Sequence, residues 1–278
     1  MGFGRRGLMD QEVEEGSGWE LILSAAEGAL QIVLTHAEEL ICAQRWGRND
    51  RATEILAPAL ADMARTCGLR PRQLRRIACV RGPGSFTGIR LVLATAAALR
   101  RTAPALQLAG LDYLQALATT AAVERRLPYA TPITVLTHAR RHLLHVQPYI
   151  SYGWSIPAQA ADAVRLCTPE EVLARIMTDN SHTVFCGSGL QRNPCLLEEL
   201  AKRPDPLCLD QLRLPSVDAL RLLARHGEYG HVDIEPLYIR PCDAVETLPR
   251  LAQRMGIDAG EAQEELQRLL QRTPSSLE

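Results

Sequence analysis

Apolar residues recur along this chain in two rhythms. Residues 19–23, 29–34 and 40–45 are short runs of Leu, Ile and Val with turns between them, and they predict three strands. From 52 to 67 the spacing lengthens. Ile55, Leu56, Ala59, Leu60 and Met63 form one stripe of a predicted helix that Gly68 closes, with Pro58 kinking or restarting its first turn. A strand over 77–80, a helix from 86 to about 101, a strand over 106–109 and a helix over 111–122 follow. Residues 133–137 and 143–150 alternate as a hairpin. A helix over 169–177, a strand over 183–186 and helices over 188–200 and 216–226 complete the pattern, the last opening on Ser-x-Asp after Pro215. A tail helix over 258–272 carries Leu266, Leu269 and Leu270 on one stripe, to be docked on the domain, left in solvent or set against a partner.

Between the 77–80 strand and its helix lies the chain's most informative run, Arg81-Gly82-Pro83-Gly84-Ser85-Phe86-Thr87-Gly88-Ile89-Arg90. Gly82 and Gly84 permit a tight path, Pro83 stiffens it, and Ser85 suits an N-cap. Such a helix end can hold an anion. Equally, the glycines can serve only to turn the chain and let the helix pack closely. A Walker loop is excluded, because it needs a lysine after its last glycine and the single lysine is Lys202. The dinucleotide fingerprint fails by one residue, since Gly82, Gly84 and Gly88 run G-x-G-x-x-x-G.

The helix beyond this loop is apolar or small at nearly every position from Ile89 to Leu99, including Leu93, Ala94 and Ala97. A helix without a polar face needs cover on more than one side. The sheet supplies one cover. The 52–67 helix, or a second molecule, supplies the other.

Composition narrows the classes. The formal net charge is −1, and 30 of the 31 basic residues are arginine, which nearly excludes a catalytic lysine. Eight cysteines without a C-x-x-C pair fit a reduced, cytoplasmic protein, with Cys42, Cys79 and Cys186 read as buried strand thiols. No apolar run reaches membrane-spanning length, and residues 1–18 lack the apolar core of a secretory signal and read as a disordered extension.

The run Gly82–Arg90 closely resembles the signature of the TsaB (YeaZ) family, the partner protein in bacterial tRNA threonylcarbamoyladenosine synthesis. Thr53-Glu54-Ile55-Leu56-Ala57-Pro58, Ala139-Arg140, Gly187-Ser188-Gly189-Leu190 and Glu235-Pro236-Leu237-Tyr238-Ile239-Arg240-Pro241 resemble its other motifs in the same order, over roughly residues 19–244. The resemblance implies an α/β, two-lobed actin-like (ribonuclease-H-like) fold with a degenerate second lobe. It places the first lobe at 19–110, completed by 215–240, the second at 111–214, and an extension at 241–278. It also implies a non-catalytic protein that binds the transferase TsaD, with the ATPase TsaE as a further partner, tRNA met indirectly, and self-association as a homodimer. The implied interface is a bundle of the two helices, through Ile55, Leu56, Ala59, Leu60, Met63, Ile89, Leu93, Ala94 and Ala97.

Departures from the family sharpen this reading. Leu21–Glu27 stands where the family has an Asp-Thr-Ser turn, and Ser24 cannot replace a carboxylate toward a hard cation. Ala52 replaces a common family histidine, and His138 replaces the aspartate before Ala139. No cofactor, metal or catalytic residue is therefore expected, and an ATPase role is disfavoured. The rival expectation is a metal- or ATP-dependent enzyme of the same fold, such as a glycoprotease-like hydrolase. His138 and His142 have the H-x-x-x-H spacing that binds zinc on a helix, but a strand–turn–strand pattern there separates the two rings. Arg70, Arg72, Arg75, Arg76 and Arg81 form a basic cluster, read as a solvated loop or as a contact for the tRNA backbone.

Overall fold

The computed structural model describes residues 18–47, 51–178, 182–202 and 208–239, with 252–253, 258 and 260 beyond them. The expected N-terminal extension and the tail helix lie outside the described residues. The described residues up to Leu237 belong to one compact unit, and those from Tyr238 onward to another.

In the first unit β1 (Trp19–Ser24), β2 (Leu30–His36) and β3 (Glu39–Trp46) form an antiparallel meander. Helix α1 (Ala52–Thr66) leads through a 3-10 turn over Pro71–Gln73 to β4 (Leu74–Gly82), which pairs parallel to β1. Helix α2 (Phe86–Thr102) returns the chain to β5 (Gln107–Asp112), parallel to β4. The sheet order is thus β3-β2-β1-β4-β5. Consecutive residues of β1 (Leu21 to Ser24) and β4 (Ile77 to Val80) are buried, so both faces of the centre are covered. Helices α1 and α2 pack together on β1, β2 and β4, while α3 (Tyr113–Arg125) and α7 (Val217–Arg225) pack together on β1, β4 and β5.

The second sheet repeats the first. The hairpin of β6 (Thr131–Arg140) and β7 (Leu143–Ser151) stands for β1–β2, and β10 (Val184–Cys186) pairs parallel to β6 as β4 does to β1. Next to β10 lies β11 (Cys208–Leu209), as β5 lies next to β4. The third strand of the meander is broken into β8 (Gln159–Ala160) and β9 (Arg165–Cys167), both antiparallel to β7. This is the duplicated α/β architecture of the actin-like fold, with a reduced second half. Helix α3 packs against strands of both sheets, and one hydrophobic core runs through them. A smaller core lies under α4 (Pro169–Thr178) and α6 (Pro194–Ala201).

Two sequence expectations change. The helix expected over 188–200 is two, α5 (Ser188–Gln191) and α6, because Pro194 opens a new first turn and disfavours helical geometry at Asn193. Leu111 and Asp112 extend β5, opposite Val80 and Gly82, instead of starting α3. Pro58 sits inside α1 without ending it.

Candidate functional site: the glycine loop, the helix face and the cleft

The glycine loop begins at the end of β4. Ser85 caps α2 as expected, its Oγ accepting from the Gly88 amide at 3.2 Å. The Ser85 amide donates to the Ala26 carbonyl at 2.6 Å, and Gly84 and Gly88 face the backbone of the β1–β2 turn. A Cβ on Gly88 would stand 2.0 Å from the Ala25 oxygen, and one on Gly84 would stand 2.3 Å from the Ala26 oxygen. Both distances are impossible without movement. These glycines therefore let one strand turn press into the loop. The Ser85 amide is thereby taken by a carbonyl of the β1–β2 turn, and the glycines serve close packing there. The C-terminal motif closes the other side, where the Leu237 amide donates to the Arg81 carbonyl at 2.8 Å.

The second lobe uses the same device. Gly187 and Gly189 press on the Leu136 carbonyl, where a Cβ would approach to 2.3 and 2.9 Å. Gly82 and Pro83 are buried, whereas Phe86 and Thr87 are exposed. Arg90 stacks over the Phe86 ring at 3.6 Å.

The two helices divide the expected interface residues. Leu56, Ala59, Met63, Ile89 and Leu93 belong to this chain's own core and contribute no surface. Ile55, Leu60 and Ala97 are half-buried, and Ala94 is exposed. The helix expected to lack a wet side has one, at Phe86, Arg90, Ala94 and Ala98, four residues apart, with Ala57, Pro58 and Ala61 exposed on α1. The sequence pattern misleads here because alanine scores as apolar yet is cheap to leave in water.

The remaining candidates disperse. Cys79 and Cys186 are buried as expected, but Cys42 is only half-buried, since the edge strand β3 has an open face. His138 lies near the end of β6, His142 sits in the hairpin turn, and His145 is buried near Thr137. Among the described residues, no three His, Cys, Asp or Glu side chains converge. The basic cluster also splits. Arg76 stacks over Tyr229, Arg81 Nε donates to Asp112 at 2.8 Å, and Arg70, Arg72 and Arg75 are exposed.

One feature escaped sequence reading. Glu27 follows the three buried residues Ser24 to Ala26, and it lines a cleft of about 670 Å³ with Arg45, Glu124, Ser188, Arg192 and Arg213. Ser188 Oγ donates to one Glu27 oxygen at 2.5 Å and accepts from the His138 amide at 3.1 Å. The other Glu27 oxygen is buried without a hydrogen-bond partner. Burial holds the Glu27 carboxyl above the usual range, although the Ser188 bond and nearby Arg192 pull it down. Ser188 thus donates one hydrogen bond to Glu27 and accepts one from the His138 amide. Glu27 and Ser188 are 161 residues apart, too far for any motif to join them.

Comparison with known proteins places this geometry. Residues 49–182 match the family described as TsaD: tRNA N6-adenosine threonylcarbamoyltransferase. YeaZ from Pseudomonas aeruginosa superimposes over 80% of this chain and 100% of its own, with 21% identity and a TM-score of 0.65. This is the YeaZ fold. An uncharacterized P. aeruginosa protein, described as similar to peptidase YeaZ, covers the same shares at 22% identity and a TM-score of 0.64. No curated protein matches the chain. The resemblance drawn from the glycine signature rests on these matches as well as on the motif. The family model matches a little under half of the chain, and the likeness to YeaZ is one of fold. Among the described residues, no helix is long and apolar enough to cross a membrane.

Proposed function

We propose that this chain is the non-catalytic partner of a TsaD-type transferase in tRNA threonylcarbamoyladenosine synthesis, acting in the cytoplasm. The observation that carries the reading is the outer face of α1 and α2. Ala94, Ala97 and Ala98, with Ala57 and Ala61 on the neighbouring helix, make a surface of small side chains that a second helix pair can approach closely, flanked by Phe86, Ile55 and Leu60. In keeping with a binding role, the glycine loop packs closely against the β1–β2 turn of the same chain. The same face serves TsaD in the heterodimer and a second copy in a homodimer. TsaE joins the larger assembly, and tRNA is met through TsaD.

The test is co-purification with the same organism's TsaD, followed by tRNA modification with and without this chain. Modification that requires both proteins, with this chain inert alone, supports the reading. Transfer or ATP turnover by this chain alone favours the enzyme of the same fold instead.

A further inference from the structure

The tip of the β6–β7 hairpin builds a site that the docking role does not use. Arg140 pairs with Leu143 across the ladder, so Arg141 and His142 are a two-residue turn, with His142 at a φ of 61°. Beside this turn lies the end of α5, with Arg192 as its C-cap residue. Between them is a concavity of about 240 Å³ lined by His138, Arg140, Arg141, His142 and Arg192 together with Leu143, Leu144 and Asn193. No carboxylate lines it. Arg140, Arg141, His142 and Arg192 are exposed. Among the described residues, neither Arg141 nor Arg192 forms an ion pair. Two carboxylates outside the hollow feel its rim: Glu27 feels Arg192, and Glu170, at the start of α4, feels His142. His138 is held below the usual imidazole range by burial and then by Arg192, whose field therefore reaches across the concavity.

The whole chain carries a formal net charge of −1, so this concentration of positive charge is local. Like charges gathered in one hollow repel, and an anion entering it relieves that repulsion while bonding to the guanidinium forks. Planar guanidinium groups match the oxygens of a phosphate. We infer that the concavity at the β6–β7 turn, centred on Arg141 and Arg192, is a binding site for a phosphate group. Two sources share this chemistry: a phosphodiester of RNA and a free phosphate compound. The site stands apart from the α1–α2 face, so it does not rest on the docking reading.

The experiment titrates the full-length protein with inorganic pyrophosphate by calorimetry, and with labelled tRNA transcript by anisotropy over a salt series. Wild type is compared with Arg141→Glu and Arg192→Glu, and with Arg72→Glu as an exposed arginine elsewhere. Retained thermal melting shows that each variant folds. The expected result is saturable binding of at least one probe, weakened about tenfold or more by each of Arg141→Glu and Arg192→Glu, the worth of one hydrogen bond to a charged group. Arg72→Glu binds as wild type. Pyrophosphate binding alone identifies a free phosphate ligand. RNA binding that pyrophosphate competes away identifies the phosphodiester. The inference is overturned if neither probe binds above a chloride control of equal ionic strength, or if Arg72→Glu weakens binding as much as the two site variants.

Discussion

Replacing Gly88 by alanine sets two effects of known size against each other. Gly88 is the third residue of α2, and in an exposed helix interior alanine is favoured over glycine by about 1 kcal/mol. In this structure the new methyl carbon would stand 2.0 Å from the Ala25 carbonyl oxygen. Non-bonded heavy atoms settle near 3.5 Å, so a retreat of about 1.5 Å is needed. Ala25 is fully buried and its neighbour Ala26 accepts the Ser85 amide, so the turn has no free direction in which to move. Overpacking a filled core costs about 1–3 kcal/mol, and losing the Ser85 bond adds about 1 kcal/mol. The clash wins. The expected net loss for Gly88→Ala is about 1–3 kcal/mol, or a fall in Tm of about 2–12 °C for a chain of this size. Urea denaturation followed by circular dichroism, together with a thermal scan, measures both. Gly47→Ala is the control, since a Cβ there meets nothing within 4 Å, and it stays within about 0.5 kcal/mol of wild type. A Gly88→Ala protein as stable as wild type would refute the close approach of loop and turn.

Three further expectations follow from the same coordinates. Ala94→Arg and Ala98→Glu, both on the exposed stripe of α2, abolish co-purification with TsaD while the melting curve stays unchanged; normal binding by both removes this face as the interface. Glu27→Gln relieves a buried carboxylate. Because burial raises the Glu27 pKa above 4.5, the folded state holds its proton to higher pH than the unfolded state, and the wild-type contribution to stability falls as pH rises from about 4.5. The variant therefore gains on wild type between pH 4 and pH 7, and a difference that is flat or shrinks with pH in paired denaturation curves contradicts this. Native thiol titration labels exposed Cys195 first and leaves Cys79 and Cys186 silent, since burial pushes the Cys79 thiol far up and the Cys186 thiol to about 12. Early labelling of either, read by peptide mass, counts against the packed central strands.

Local rules carried the reading a long way. Strands β1, β2 and β4, helices α1, α2 and α7, the Ser85 and Ser216 caps and the glycine loop all follow from spacing over a few residues, because strand pleat, helix turn and cap geometry act over that range. Strands β8, β9 and β11 contain only two or three residues, too few for an alternation to register. Tertiary packing decided the rest. Leu93 and Ala94 are neighbours in one apolar run, yet the first lies in the core and the second in water, because only the sheet and α1 determine which side of α2 is covered. Likewise the close approach of the glycine loop to the β1–β2 turn joins segments some sixty residues apart, which no local pattern announces. Glu27 met Ser188, and Arg192 came beside the β6–β7 turn, through folding alone. A side chain's chemistry is written in the sequence, but its surroundings come from segments distant along the chain, and burial and electric field depend on those surroundings.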